Sequence, residues 1–236
     1  MIDIQTFNKS TDDFDKREGR TNFFTLAKNL IDSGFEIEGL LLILTTWNFA
    51  IFRYAVKQFD INNFKKTLGM LKRNFDKLNG QNFRTINFDD YKSDIQTIYN
   101  SLSKIKGVEF TGAPKLMHLK NPDVFVMWDA YIRGEKPKKY YDKLDTFKNG
   151  TFEFKKYSKD FDGYFGFIKD MQDKFKHLNL DGQKSLAKAV DEFNYVNITL
   201  AIQGMEKNYK RTKRINKQRP ANNIAFKAQL SQKKRH

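Results

Sequence analysis

Apolar residues fall at helical spacing over most of this chain, and each such stretch is closed by a glycine or a polar pair. Phe23, Leu26, Ala27, Leu30 and Ile31 form one stripe, stopped by Gly34. Phe64, Leu68, Leu71, Phe75 and Leu78 form another, ended by Gly80. Tyr91, Ile95, Ile98, Leu102 and Ile105 form a third, opened by Asp89-Asp90 and ended at Gly107. Intervals of three and four put these side chains on one helical face, which must find a partner to be buried. Leu40 to Leu44 is apolar all round and reads as a buried central helix. Thr45-Thr46-Trp47-Asn48 interrupts it, and Phe49 to Phe59 resumes the pattern. Ile168, Met171, Phe175 and Leu178 read as a further helix, as do Leu186, Val190, Phe193, Val196 and Leu200. The expectation is a mainly α protein, a helical bundle over residues 1–206. One small β-hairpin is expected within the aromatic-rich insertion at 134–164, where Asn149-Gly150 lies between Phe147 and Phe152.

Composition narrows the class. With 39% hydrophobic residues, 23 Phe and 10 Tyr, the chain can build a large core and is not a wholly disordered protein. A mean hydropathy of −0.69, with no apolar run longer than Leu40–Leu44, argues against a membrane span. The N-terminal segment mixes both charge signs without an apolar stretch, so no signal peptide is expected. The absence of cysteine excludes disulfides, thiolate nucleophiles, cysteine-ligated zinc and iron–sulfur clusters. Three histidines, His118, His177 and His236, are too few for a histidine-rich metal site, and no metal or other cofactor is expected.

The net charge of +15 is unevenly spread. Lys207 to His236 holds eleven Lys/Arg, Lys210, Arg211, Lys213 and Arg214 among them, and no Asp or Glu, which leaves only +4 on the first 206 residues. Such a run repels itself and suits a polyanion, because each neutralised phosphate releases counterions. Residues 207–236 are therefore expected to be a flexible basic tail that adds affinity for nucleic acid. The tail lacks the consistent apolar face that membrane-surface binding needs.

The most informative stretch is Ile105 to Arg133, IKGVEFTGAPKLMHLKNPDVFVMWDAYIR. A helix ends on Ile105-Lys106, turns at Gly107 and restarts near Thr111, a capping candidate, with Gly112 and Pro114 in the first turn. Two helices joined so tightly aim backbone N–H groups at one point, an anion site that on DNA would take a phosphate. Asn121-Pro122 then stops the second helix, and Val124 to Trp128 delivers Asp129 to the start of another.

This stretch resembles the helix–hairpin–helix and catalytic aspartate of the endonuclease III superfamily of DNA glycosylases, whose members include the 8-oxoguanine glycosylases. The interval from Gly107 to Asp129 is 22 residues, as in typical members. The resemblance implies Asp129 as the catalytic carboxylate and the hairpin, with Lys106, Gly107, Thr111 and Gly112, as a phosphate clamp. It also implies Asn48 as the residue that fills the gap left by an extruded base, and Trp47 and Trp128 as walls of the base pocket. Glu109 stands where the family has its second hairpin glycine. Thr111 stands where bifunctional members carry a nucleophilic lysine; the nearest lysine on that helix is Lys115, one turn on. The expected activity is hydrolysis of the N-glycosidic bond of a damaged base, an oxidised purine first among them, without lyase chemistry. The expected partner is duplex DNA, met by a monomer in the cytoplasm at the nucleoid, or in a nucleus. Glu109 and Thr111 equally fit a non-catalytic DNA-binding protein on the same fold, and a basic helical bundle also suits a protein-interaction role. Both tryptophans, Asp129 as a helix cap, His118, and the insertion aromatics Tyr140, Tyr141, Phe147, Phe152, Phe154 and Tyr157 all have ordinary structural readings as well.

Overall fold

The computed structural model describes residues 2–19, 21–180 and 184–211. These residues are mainly helical and contain no β-strand. The helices are α1 (Ile4–Arg17), α2 (Thr21–Asp32), α3 (Glu36–Trp47), α4 (Phe49–Ala55), α5 (Ile61–Asp76), α6 (Lys92–Ser103), α7 (Glu109–Lys120), the short α8 (Lys138–Tyr141) and α9 (Asp145–Lys148), α10 (Phe161–Phe175) and α11 (Leu186–Asn194). A π-helical segment, Tyr195–Leu200, continues α11 into a final helical stretch, 201–211. No single helix among the described residues is long and apolar enough to cross a membrane.

The centre of the molecule is α7, whose residues from Gly112 to Leu119 are all buried. It packs against α2, α3 and α6, and α10 and α11 close the far side of the core. Where α3 meets α7 the backbones approach closely. A Cβ on Gly112 would lie 2.9 Å from Asn48 Nδ2 and 3.1 Å from a Leu44 methyl group. The α3 and α4 axes bend by 108° at Asn48. The α6–α7 turn rests on α4, and Gly107, at φ +93°, meets Phe52 and Ala55 there.

Several sequence expectations are corrected. Asn149-Gly150 does not turn a hairpin: it ends α9, with Gly150 at φ +74°, the left-handed conformation that also closes helices. The insertion aromatics form a satellite core, in which Tyr141 packs on Phe147 and Phe154, and Phe152 on Phe175 and Phe193. Thr111 does not cap α7, which begins at Glu109. Asp129 opens a single turn rather than a helix: Arg133 N–H reaches Asp129 O at 3.0 Å, and Gly134, at φ +77°, ends it. Helix extends through Arg211, so Lys210 and Arg211 are exposed residues of a helix. Lys213 and Arg214 lie outside the described residues. An N-terminal helix, α1, precedes the first predicted one.

Candidate active site

A proline inside α7 sets up the site. Pro114 has no N–H to offer the carbonyl of Phe110 one turn back. The indole Nε1–H of Trp128 donates to that carbonyl instead, at 2.9 Å. Trp128 is itself buried among Tyr99, Tyr164 and Phe167. The extended segment before Asp129 is thus pinned to the first turns of α7 by the group that the proline leaves without a partner.

Asp129 follows directly. Its Oδ1 accepts from the N–H groups of Tyr131 (2.8 Å) and Ile132 (2.9 Å), and its Oδ2 accepts from the Thr199 hydroxyl (2.8 Å). Three donors fix the carboxyl while it stays half-buried, at the wall of a cavity of about 360 Å³. That volume lies at the small end of ligand-binding cavities. Asn48, Trp47, Thr111, Lys115 and Trp128 line the same cavity. Of the positions singled out in the sequence, these six converge. Thr111 and Lys115 share a wall because four residues are a little over one helical turn.

Asn48 is held by the turn between α6 and α7. It is 2% exposed, and its Nδ2 donates to the carbonyls of Gly107 (2.9 Å) and Val108 (3.2 Å). Lys115 Nζ lies 3.5 Å from its Oδ1. The amide therefore ties the α6–α7 turn to the bend between α3 and α4 and borders the cavity from beneath. Trp47 stacks on Phe24, with ring centroids 5.8 Å apart.

The turn itself carries strain. Glu109, the first residue of α7, has φ +53° and pairs with Lys106 at 3.5 Å. The first-turn N–H groups of Phe110 and Thr111 make no backbone hydrogen bond among the described residues, as the open end of a helix requires. The Thr111 hydroxyl accepts from Arg133 Nη1 at 3.3 Å. Arg133 is buried between Phe110 and Trp128 and is neutralised by Glu135 at 2.8 Å.

Helix α11 and the π segment supply what the sequence did not disclose. Asp191, Tyr195, Thr199 and Gln203 recur every fourth residue, and all four line the cavity. In an α-helix that spacing drifts by about 40° per step; the wider π turns take up the drift, and such segments are frequent at functional sites. Asp191 is buried, and that burial, reinforced by Glu192 and Asp129, pushes its carboxyl up to about 7 against the pull of Lys188 and Lys115. His118 bonds through Nδ1 to Phe125 O at 2.6 Å, and burial together with the Lys188 charge holds it down to about 3, a neutral structural ring. No cluster of three or more metal-ligating side chains occurs among the described residues. Compared with known proteins, the chain matches no family model, no curated protein and no solved structure.

Proposed function

We propose that this chain is a DNA glycosylase that hydrolyses the N-glycosidic bond of a damaged base extruded from a duplex. The observation that carries the reading is the convergence of Asp129, Lys115, Thr111 and Trp47 on one base-sized cavity, beside an interhelical turn braced by Asn48. Breaking the C1′–N bond builds positive charge on the sugar and negative charge on the base. A fixed carboxylate at the sugar stabilises the first and can accept the proton of the attacking water. Asp129 is held for that task by its three hydrogen-bond donors. The turn at Gly107 and the open first turn of α7 form the helix–hairpin–helix of this reading and take a backbone phosphate. Exposed Lys210 and Arg211 add sequence-independent affinity. Oxidised purines are the first lesion class to test, and extrusion costs a few kcal/mol that a damaged pair lowers.

The test is strand cleavage of duplex oligonucleotides carrying single lesions, with and without hot alkali. Alkali-dependent nicking is expected, and Asp129→Asn abolishes it while leaving DNA affinity within about twofold. Nicking without alkali, with a borohydride-trapped adduct lost in Lys115→Met, would assign Lys115 a nucleophilic role. A second reading, a DNA-binding protein without glycosylase activity, is favoured by one observation: Glu109 places a carboxylate on the turn that would meet the phosphate. Binding without release of any base decides for it.

A further inference from the structure

The cavity holds a second acidic group in an environment opposite to that of Asp129. Asp129 receives three hydrogen bonds. Asp191, deeper and 6% exposed, receives none among the described residues. Lys188 Nζ stands 3.7 Å from its Oδ2, within ion-pair range but beyond a hydrogen bond. That ammonium is itself divided. It lies 3.5 Å from Glu192, and 4.5 to 5.1 Å from the ring centres of Phe24, Phe14 and Trp47. The titratable groups around Asp191 are Lys188 and Glu192 on α11, Lys115 on α7, Asp129 on the segment after α7 and Tyr164 on α10, while Glu18 and Tyr195 also line the cavity.

Two carboxyl groups on one cavity, one furnished with donors and one stripped of them, divide acid from base work in enzymes that cleave glycosidic bonds. We propose that Asp191 is the proton donor of this site, delivering its proton to the departing base while Asp129 serves the sugar. The proposal rests on the glycosylase reading and deepens it. In the step, the C1′–N bond breaks with its electron pair going to the base nitrogen, and the Asp191 proton goes to the base. A water oxygen bonds to C1′, and its released proton goes to Asp129. Both carboxyls then reset by proton exchange with solvent, so the sum is glycoside plus water giving sugar hydroxyl plus free base. At neutral pH a share of the molecules holds this proton, because burial and the neighbouring Glu192 and Asp129 oppose ionisation against the pull of Lys188 and Lys115.

The experiment compares single-turnover base release from two duplex probes. One carries 8-oxoguanine, a neutral base that leaves well only when protonated. The other carries 7-methylguanine, already cationic and able to leave without an added proton. Asp191→Asn is expected to slow release of 8-oxoguanine by about 100-fold or more at neutral pH, and to leave release of 7-methylguanine within about threefold. The wild-type rate on 8-oxoguanine should fall as pH rises through about 7; Asp191→Asn should lose that limb and Asp191→Glu should recover part of it. Equal losses on both probes mark a packing role and overturn the proposal, as does an undiminished rate, or release from the cationic probe alone. Should Asp191→Asn fail to fold, a wild-type rate that does not fall above neutral pH overturns it. An undiminished Asp191→Asn beside an inactive Asp129→Asn removes the proton donor and keeps the glycosylase. A wild-type protein that frees no base removes both.

Discussion

The bond between Trp128 and α7 gives a sharp test of how the site is assembled. Trp128→Phe keeps an aromatic ring in the cluster of Tyr99, Tyr164 and Phe167 but removes the only side-chain donor to the Phe110 carbonyl among the described residues. Pro114 cannot take its place. An orphaned, partly buried carbonyl costs about 1–3 kcal/mol, and the lost ring volume adds about 1–2 kcal/mol. Trp128→Phe should therefore lower the unfolding free energy in urea by about 2–5 kcal/mol. Pro114→Ala restores a main-chain N–H one turn after Phe110, so in that background the carbonyl keeps a partner and Trp128→Phe should cost only the volume. The double-mutant cycle should thus show a coupling of about 1–2 kcal/mol, well above the 0.3–0.5 kcal/mol by which unconnected sites depart from additivity. A coupling under about 0.5 kcal/mol would mean that water satisfies the carbonyl once the indole is gone, and that the proline does not direct the tryptophan.

Three further outcomes follow from the geometry. Asn48→Ala strips the buried Gly107 carbonyl of its donor, while Val108 O keeps the Gly112 N–H at 2.8 Å, and should cost about 1–3 kcal/mol in urea unfolding; unchanged stability would mean that water replaces the amide there. Glu109→Gly relieves a left-handed conformation at the expense of an exposed ion pair of little worth, so it should stabilise by about 1 kcal/mol and, under the glycosylase reading, tighten duplex binding at low salt. Asp191 has its folded-state pKa raised from 3.8 to about 7. Its contribution to stability is fully present below about 4 and is lost as pH rises to about 7, a change of up to about 4 kcal/mol. Asp191→Asn should flatten that part of the stability-versus-pH curve, and an unchanged curve would refute the assignment.

The helical framework was legible because it depends on local spacing. The stripes ending at Gly34, Gly80 and Gly107 fold as helices, and all three glycines have positive φ. Helix α1 was not legible, because its buried face runs through Ser10 and Thr11 between Phe7 and Phe14. Both hydroxyls can be buried because they bond back to Thr6 and Asn8 carbonyls. Asn149-Gly150 was misread because a left-handed glycine serves a hairpin and a helix end equally well, and only the packing of Phe147 and Phe152 into one aromatic cluster decides between them. Lys115 was reachable from the sequence, since one helical turn from Thr111 keeps it on the same face. The Trp128–Phe110 bond was half visible: Pro114 shows that a carbonyl is orphaned, but nothing local says which donor comes to it.

Asp191 could not be found from sequence because its surroundings disguise it. Lys188, Asp191 and Glu192, spaced at three and four, read as the solvated face of an amphipathic helix. Yet all nine residues of α11 are buried. Charges in such a place must be compensated within the protein or lose their charge. Glu192 accepts from Lys184 at 2.9 Å and shares Lys188 with Asp191. One ammonium is thus left between two carboxyls, with aromatic faces instead of further donors around it. The proton that settles this imbalance belongs on Asp191, since Glu192 already has its own cation and Asp191 faces both the cavity and Asp129. A buried carboxyl that neighbours other carboxyls and is short of hydrogen-bond donors is a way to keep an acid protonated toward neutral pH, and it requires no residue that a local pattern would reveal.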